Sequence, residues 1–194
     1  MKVALISILS LSLLVVGGVA AEKSAGAPAS YVNEAQLPQG WPAPGPYGQV
    51  VAKEYPVYRA AFTDGRMSGP TFMRLFRHIS SKNIPMTAPV EMEMEEDGEA
   101  MDMVSMAFLY QNAEVGELGM DGKKVEVKDV AAMKVLSYAW QGSRGDEKVA
   151  EARAALEDVL KEKGLEAESF RLLGYNGPGT PRKERTHELQ AVLK

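Results

Sequence analysis

The two histidines and one glutamate near the end of the chain have the side chains best suited to ligate a metal or move a proton. His78 falls in a segment with helical spacing, about 120° around the helix from the centre of its apolar stripe. A lone histidine on such a flank is more often a surface residue than a ligand. His187 shares its strand face with Leu189 and Ala191, which predicts a buried, hydrogen-bonded ring, and Glu188 takes the other face.

Glu188 is also the best candidate for a general base, with Tyr175 or Tyr138 beside it in a shared cavity. A glutamate that faces a ligand cavity, without catalysis, and a solvent-facing or salt-bridged carboxylate are two equally good interpretations of Glu188, and both are better than a general base. The sequence has no cysteine, no Gly-x-Ser-x-Gly, no His-Glu-x-x-His and no phosphate-binding glycine loop. It therefore predicts a protein that is not an enzyme, with a cavity hydrolase as the alternative.

Methionine is concentrated in one region of the chain. Within it, Met92 and Met94 share one strand face, while the intervening glutamates take the opposite face. The region comprises Met86, Met92, Met94, Met101, Met103 and Met106. Adaptable filling of a core is the favoured interpretation. A pliable wall for a large planar apolar ligand and a Cu(I) site made of Met-x-Met pairs are the alternatives.

A short amphipathic helix is predicted just before the methionines. Ser68 is a suitable cap and Pro70 fits the first turn, while Asn83 is a stop signal and Pro85 enforces extended backbone before it. Four apolar residues recur at helical spacing and predict one buried face: Phe72, Leu75, Phe76 and Ile79.

Two further residues of this helix flank the aromatic stripe. Met73 and Arg77 lie about 100° and 140° around the helix from Phe72. An apolar stripe with a guanidinium at its edge suits a flat amphiphile that carries carboxylates. Simple packing of Phe72 and Phe76 against a sheet explains the same pattern equally well.

The chain from Gln49 onward repeats one pattern twice. The segment 53–59 matches 128–134 at an offset of 75 residues, and the same offset relates Pro70 to the start of a second helix near Asp146, which stops at Gly164. Two strand-like segments follow each helix, at 86–94 and 101–110, and at 168–175 and 184–193. This predicts an α+β fold in which duplicated strand–helix–strand–strand units form a distorted antiparallel β-barrel flanked by two helices.

The N-terminal residues predict export. Lys2 precedes an apolar run and then small residues, which is the pattern of a signal peptide over residues 1–21. An uncleaved anchor is the alternative. Residues 22–48 are rich in Pro, Ala and Gly and predict an extended arm, pinned at its end by Trp41 and Tyr47, before a domain over residues 49–194. The expected location is extracytoplasmic, either periplasmic or secreted, with no membrane span after processing.

Charge and composition narrow the partners. The 194-residue chain has 22 basic and 26 acidic residues, a net charge of −4 that becomes −5 once Lys2 is removed with the leader. Such a chain offers no electrostatic footprint for nucleic acid and no basic cluster for a membrane surface. Without cysteine it has neither a disulfide nor a thiolate ligand. We expect a monomer that binds a small molecule.

Two segments carry a family resemblance. The helix Phe72–Ile79 followed by Asn83-Ile-Pro-Met-Thr-Ala-Pro-Val90 resembles the SOUL haem-binding protein family, and so does Gly174-Tyr-Asn-Gly-Pro-Gly-Thr-Pro181 with the strand that follows it. The resemblance covers roughly Gln49 to Lys194 and implies a duplicated barrel that binds haem non-covalently against the first helix. Carried over by position, Phe72, Phe76 and Arg77 would make those contacts.

The chain departs from the family pattern at three positions. His78 stands where the family commonly has tyrosine, His187 where it usually has asparagine, and Thr186 where it has arginine, whereas Glu188 matches. The resulting hypothesis is an exported tetrapyrrole-binding protein. Its candidate haem-binding residues are Phe72, Met73, Phe76, Arg77, His78 and Glu188, with no resident metal site. A binder of another apolar small molecule, or of Cu(I), is the alternative.

Overall fold

The computed structural model describes residues 31–65, 69–97 and 100–194. Within these residues the chain forms nine strands, two α-helices and a 3₁₀ turn at Arg182–Glu184. The elements in chain order are β1 (Val50–Tyr55), β2 (Tyr58–Asp64), α1 (Gly69–Ser81), β3 (Val90–Asp97), β4 (Ala100–Leu109), β5 (Gly119–Asp121), β6 (Val125–Val130), β7 (Met133–Gln141), α2 (Asp146–Lys163), β8 (Ala167–Gly174) and β9 (Thr186–Leu193).

All nine strands belong to one antiparallel sheet, in the order β1-β7-β9-β8-β3-β4-β2-β6-β5. The sheet does not close, because no pairing joins its outer strands β1 and β5 within the described residues. The predicted α+β class, with a distorted barrel and two flanking helices, is confirmed.

The two halves pair with each other about a pseudo-twofold axis. The first half begins with β1 and β2, and the second begins with β6 and β7. Strand β1 pairs with β7, where Val50 faces Tyr138, and β6 pairs with β2, where Val130 faces Tyr58. At the centre, β3 pairs with β8. Helix α2 has 18 residues and α1 has 13. The sequence offset between equivalent residues of the two halves is therefore larger for the strands after the helices than for the strands before them. The internal repeat therefore appears directly in the strand pairing.

Each repeat was predicted to begin with one strand, at 53–59 and at 128–134, and this prediction was wrong. In the structure each of these segments contains parts of two strands. Pro56 separates β1 from β2, and Ala131 with Ala132 separates β6 from β7 at the equivalent place. Proline cannot donate a ladder hydrogen bond. After each break the chain pairs with a different neighbour: β1 with β7, and β2 with β4 and β6.

The predicted helix ends are confirmed. Helix α1 ends at Ser81, and Asn83 adopts a left-handed conformation with φ of 55°, after which the Ile84 N–H donates to the Ile79 carbonyl at 2.9 Å. Gly164 ends α2 in the same way, with φ of 62°. The predicted cap Ser68 lies outside the described residues.

The sheet buries apolar residues on both faces. Both helices pack on one face, over a core that includes Leu75, Leu156 and Leu189. The opposite face carries a second, aromatic core that includes Tyr55 and Tyr175. Since side chains alternate along a strand, neighbours such as Glu188 and Leu189 in β9 belong to opposite faces.

The second core is covered by the segment before β1. Trp41 is only 6% exposed and packs edge-on against Tyr55, with ring centroids 4.5 Å apart. The Glu34 carboxylate accepts hydrogen bonds from the Gly177 N–H and the Thr180 hydroxyl. The described part of the predicted arm, residues 31–48, thus lies against the sheet, and Trp41 and Tyr47 hold its end there, with the Tyr47 hydroxyl 2.7 Å from that of Thr186. The proline-rich composition predicted an extended backbone for this segment, but it could not predict which residues of the sheet the segment contacts.

The leader predicted at residues 1–21 lies outside the described residues. Among the described helices, neither is both long and apolar enough to cross a bilayer.

We expect Trp41→Ala to lower the free energy of unfolding by about 3–5 kcal/mol, because it removes a large ring from a packed core. Urea unfolding followed by far-UV circular dichroism measures this. Leu118→Ala is the control, because Leu118 is 57% exposed and its removal should change stability by less than about 0.5 kcal/mol. Equal midpoints for both variants would mean that residues 31–48 do not stabilise the sheet.

Candidate functional site

Helix α1 presents an apolar outer surface. Its buried arc is centred on Leu75 and Ile79, so Phe76 lies about 100° outside the centre. Phe76 and Met73 are each 40% exposed, and Phe72 stacks on Phe76 with ring centroids 6.3 Å apart. The prediction that both phenylalanines share the buried face was wrong. We call the surface formed by Phe72, Met73 and Phe76 the apolar ledge.

Phe72 anchors the ledge to the sheet. It is half-buried and meets Phe108 of β4 edge-on, with ring centroids 4.9 Å apart. Such aromatic contacts fix the orientation of a ring. Phe76, which stacks on Phe72, is therefore exposed to solvent while its stacking partner is fixed against the sheet.

Arg77 is exposed on the solvent side of the helix, about 40° around the helical wheel from Met73. Arg74, one turn earlier, donates instead to the Thr63 hydroxyl at 2.7 Å and to the Asp64 carbonyl at 3.3 Å. Arg77 is thus the guanidinium beside the ledge, as the sequence pattern predicted.

His78 is buried, and its predicted surface position was wrong. Its Nδ1 donates to the Asp121 carboxylate at 2.5 Å, and its Nε2 lies 2.7 Å from the Tyr110 hydroxyl, which donates to it when the ring is neutral. The hydrogen bond from His78 is the main cause that lowers the pKa of Asp121. Both ring nitrogens are therefore engaged, and His78 joins α1 to β5.

Glu188 is completely buried on the face of the sheet opposite the helices. One carboxylate oxygen accepts from the Lys53 ammonium at 2.5 Å and from the Gly45 N–H at 2.8 Å. The other accepts from the Tyr175 hydroxyl and the Gln190 amide, each at 3.0 Å. Glu188 is therefore a salt-bridged carboxylate. It lies on the face of the sheet opposite the ledge.

The environment of Glu188 does not resemble a general-base site. Burial, and then the charge of Glu188, raises the pKa of Tyr175 well above its ordinary value. Tyr138, the other expected partner, faces the helices and donates to Glu151 of α2 at 3.0 Å. Lys53 and the other donors occupy both carboxylate oxygens of Glu188, an arrangement that favours a structural role over that of a base.

Sequence reasoning missed a second buried ion pair on this face. Arg171 of β8 donates to Glu91 at 3.1 Å, to the Tyr58 hydroxyl at 3.0 Å and to Gln190 at 2.9 Å. Its guanidinium lies 4.8 Å from the centre of the Tyr55 ring. The available signal was weak: glutamates alternate with apolar residues in β3, a pattern that also describes a solvated face, and β8 has no such alternation around Arg171.

His187 is buried as predicted, although its hydrogen bonding is incomplete. Its Nδ1 has no hydrogen-bond partner among the described residues. Burial, followed by the positive charge of Arg144, lowers the pKa of His187 to about 4. The ring is therefore neutral near pH 7.

The methionines form one wall of a pocket beside α2, with a volume of about 590 Å³. We call it the methionine pocket. Its lining includes Met92, Met94, Met101, Met103, Leu172, Val149, Ala150 and Arg144. Arg144 donates to the Met92 sulfur at 3.0 Å. A guanidinium on the thioether opposes the binding of a copper cation there, because like charges repel strongly where water is scarce.

A family model described as SOUL heme-binding protein matches residues 46–191 of the chain. No curated relative matches the chain. Its sheet and helices are also similar to those of solved structures of low sequence identity.

The C-terminal domain of EcmrR is 13% identical with a TM-score of 0.57, covering 75% of this chain and 97% of that chain. Against EcmrR in its complex with DNA the chain is 14% identical with a TM-score of 0.57, and the match covers 75% of this chain and 57% of that one. A protein from Listeria innocua described as a hydrolase is 12% identical with a TM-score of 0.58, covering 77% and 94% of the two chains. At such identities the likeness concerns the fold alone.

We expect Lys53→Met to lower the free energy of unfolding by about 3–5 kcal/mol, because it leaves the Glu188 carboxylate buried without its counterion. Adding Glu188→Gln should recover part of that loss, since the charge is then removed as well. Urea unfolding of both variants measures the difference. A double variant no more stable than Lys53→Met would contradict the structural role of the pair.

We expect acid to destabilise the protein through His187. The unfolded ring takes up a proton near pH 6.5, whereas the folded ring does so only near pH 4, so stability present above pH 6.5 is lost as the pH falls between these values. At pH 5 the loss is about 2 kcal/mol relative to pH 7. Urea unfolding at both pH values should show a smaller difference for His187→Asn. An identical difference in the two proteins would refute this assignment.

Proposed function

The chain belongs to the SOUL haem-binding protein family, and we propose that it binds haem non-covalently on the apolar ledge of α1. Membership supports tetrapyrrole binding in general, and the ledge is the observation that carries the proposed site. Phe76 and Met73 are large apolar side chains that are exposed next to each other. The same helix buries other residues, including Leu75, His78 and Ile79, against the sheet. Exposed apolar surface of this kind typically marks a binding site.

The ledge and the tetrapyrrole have matching chemistry. The stacked pair of Phe72 and Phe76, with a 13° angle between the ring planes, offers a flat aromatic surface to a flat macrocycle. Arg77, exposed beside Met73, suits a propionate carboxylate, which a guanidinium binds by charge-assisted hydrogen bonds. Haem, when bound, would supply the redox-active iron, while this chain supplies apolar contact and charge.

Two of the candidate residues are left out of the proposed site. His78 has both ring nitrogens in hydrogen bonds to Asp121 and Tyr110, so ligation of iron would require that pair of contacts to break. Glu188 is paired with Lys53 on the opposite face of the sheet. We therefore propose binding that rests on apolar contact and on Arg77, without an axial ligand from either residue.

The proposed biological setting is that of an exported binding protein without enzymatic activity. The leader-like residues 1–21 are the support for export. The engaged oxygens of Glu188 argue against a hydrolase that would use it as a base.

We expect Phe76→Ala to weaken haem binding about tenfold, equivalent to about 1.4 kcal/mol of lost apolar contact, and Arg77→Gln to weaken it by roughly half that free energy. Titration with haem, followed by the shift of its Soret absorption band, measures both. Leu118→Ala and Arg182→Gln are matched controls, because they change an exposed leucine and an exposed arginine away from α1. Binding that is insensitive to both ledge substitutions would refute the ledge as the site.

A further inference from the structure

The methionine pocket contains a guanidinium, that of Arg144, without a counterion among the described side chains. Arg144 donates to the Met92 sulfur at 3.0 Å, and no carboxylate of the described residues lies within ion-pair distance of it. Burial lowers the pKa of Arg144. A partly buried cation whose bonded partner is a weak thioether acceptor is unusual, because removing a charge from water is costly unless it is paired.

The remaining charges of the pocket do not satisfy Arg144. Arg153 is engaged with Glu157 at 2.7 Å, and Asp146 and Glu147 are exposed in the first turn of α2, where the helix dipole favours them. Asp102 also lines the pocket and has an interaction of its own. The pocket therefore has acidic groups exposed to solvent and a cation against its sulfur wall.

The apolar lining is adaptable and contains no aromatic ring. Four methionines face Val149 and Ala150 of α2 across the pocket, with Leu172 beside them. Unbranched thioether side chains change rotamer at little cost and fit ligands of varied shape. The absence of an aromatic side chain from the lining distinguishes the pocket from the ledge, where stacked rings suit a flat macrocycle. Its volume of about 590 Å³ falls within the range of small-molecule sites.

We propose that the methionine pocket binds a long-chain carboxylic acid, with its hydrocarbon chain between the methionine wall and α2 and its carboxylate on Arg144. The flexible chain matches the pliable lining, and the carboxylate provides the counterion that Arg144 lacks. Because guanidinium and carboxylate pair through parallel hydrogen bonds, the head group has one defined position. This site is separate from the ledge and does not depend on haem binding.

The test uses the full chain and a dansyl-labelled undecanoic acid, whose fluorescence rises on entering an apolar site, with palmitate as competitor. We expect saturable binding that palmitate displaces. Arg144→Met, which keeps the length and removes the charge, should weaken binding at least tenfold. Ala150→Trp, which places a ring in the pocket from an exposed helix position, should abolish it. Arg182→Met and Leu118→Ala are controls that should bind as the parent does, because both residues are exposed and neither lines the pocket.

Three results would overturn the proposal. The first is the absence of saturable binding to the parent protein. The second is unchanged affinity in both Arg144→Met and Ala150→Trp while far-UV circular dichroism shows that both are folded. The third is equal affinity of the parent for the acid and for its methyl ester, since a neutral ester cannot pair with Arg144. None of these results bears on haem binding at the ledge, so the two proposals fail independently.

Discussion

The antiparallel pairing of β3 with β8 joins the two halves of the duplicated chain, and both faces of the molecule depend on it. In this pairing Met92 faces Leu172 and Glu93 faces Arg171. Since side chains alternate, the first pair lies under the helices and the second on the opposite face. A register shift of one residue would exchange the methionine wall for charged residues. The pocket and the buried ion pair of Arg171 are therefore consequences of one set of backbone hydrogen bonds.

The face opposite the helices is filled by the protein's own charges and rings. Glu188 is paired with Lys53 and Arg171 with Glu91, while Trp41 covers the aromatic residues between them. Buried ion pairs of this kind contribute little net stability, but removing one partner is costly. This interior is therefore a fixed structural unit, whereas the apolar ledge and the methionine pocket both lie on the helical side of the sheet.

On the helical side, the two pseudo-equivalent helices present different chemistry. Helix α1 exposes an aromatic ledge beside Arg77, whereas α2 closes a methionine-lined pocket that contains Arg144. Duplication supplied the same scaffold twice, and the residues on each copy diverged. A rigid aromatic surface favours a flat ligand, and a wall of flexible thioethers favours an adaptable one. The fold thus offers two candidate sites with distinct preferences.

Much of the scaffold was predictable because its signals are local. Asn83 and Gly164 end their helices through their own backbone conformations, and the repeat across Pro70 and Asp146 follows from spacing alone. The alternation of methionine with glutamate in β3 correctly predicted their separation onto two faces. The break at Pro56, by contrast, was missed, because the short segment around it has continuous strand character and only its change of pairing partner reveals two strands.

The sequence by itself therefore determined the two helices, the repeat and the family, since each rests on neighbouring residues or on a motif. The tertiary structure alone decided the environment of the polar candidates. Helical spacing located the apolar stripe of α1 but could not predict which side of the helix meets the sheet. The side that meets the sheet is rotated relative to the stripe, so that His78 is buried and Phe76 is exposed. Lys53 and Glu188 are 135 positions apart, so their pairing depends on strand order, which no local pattern specifies.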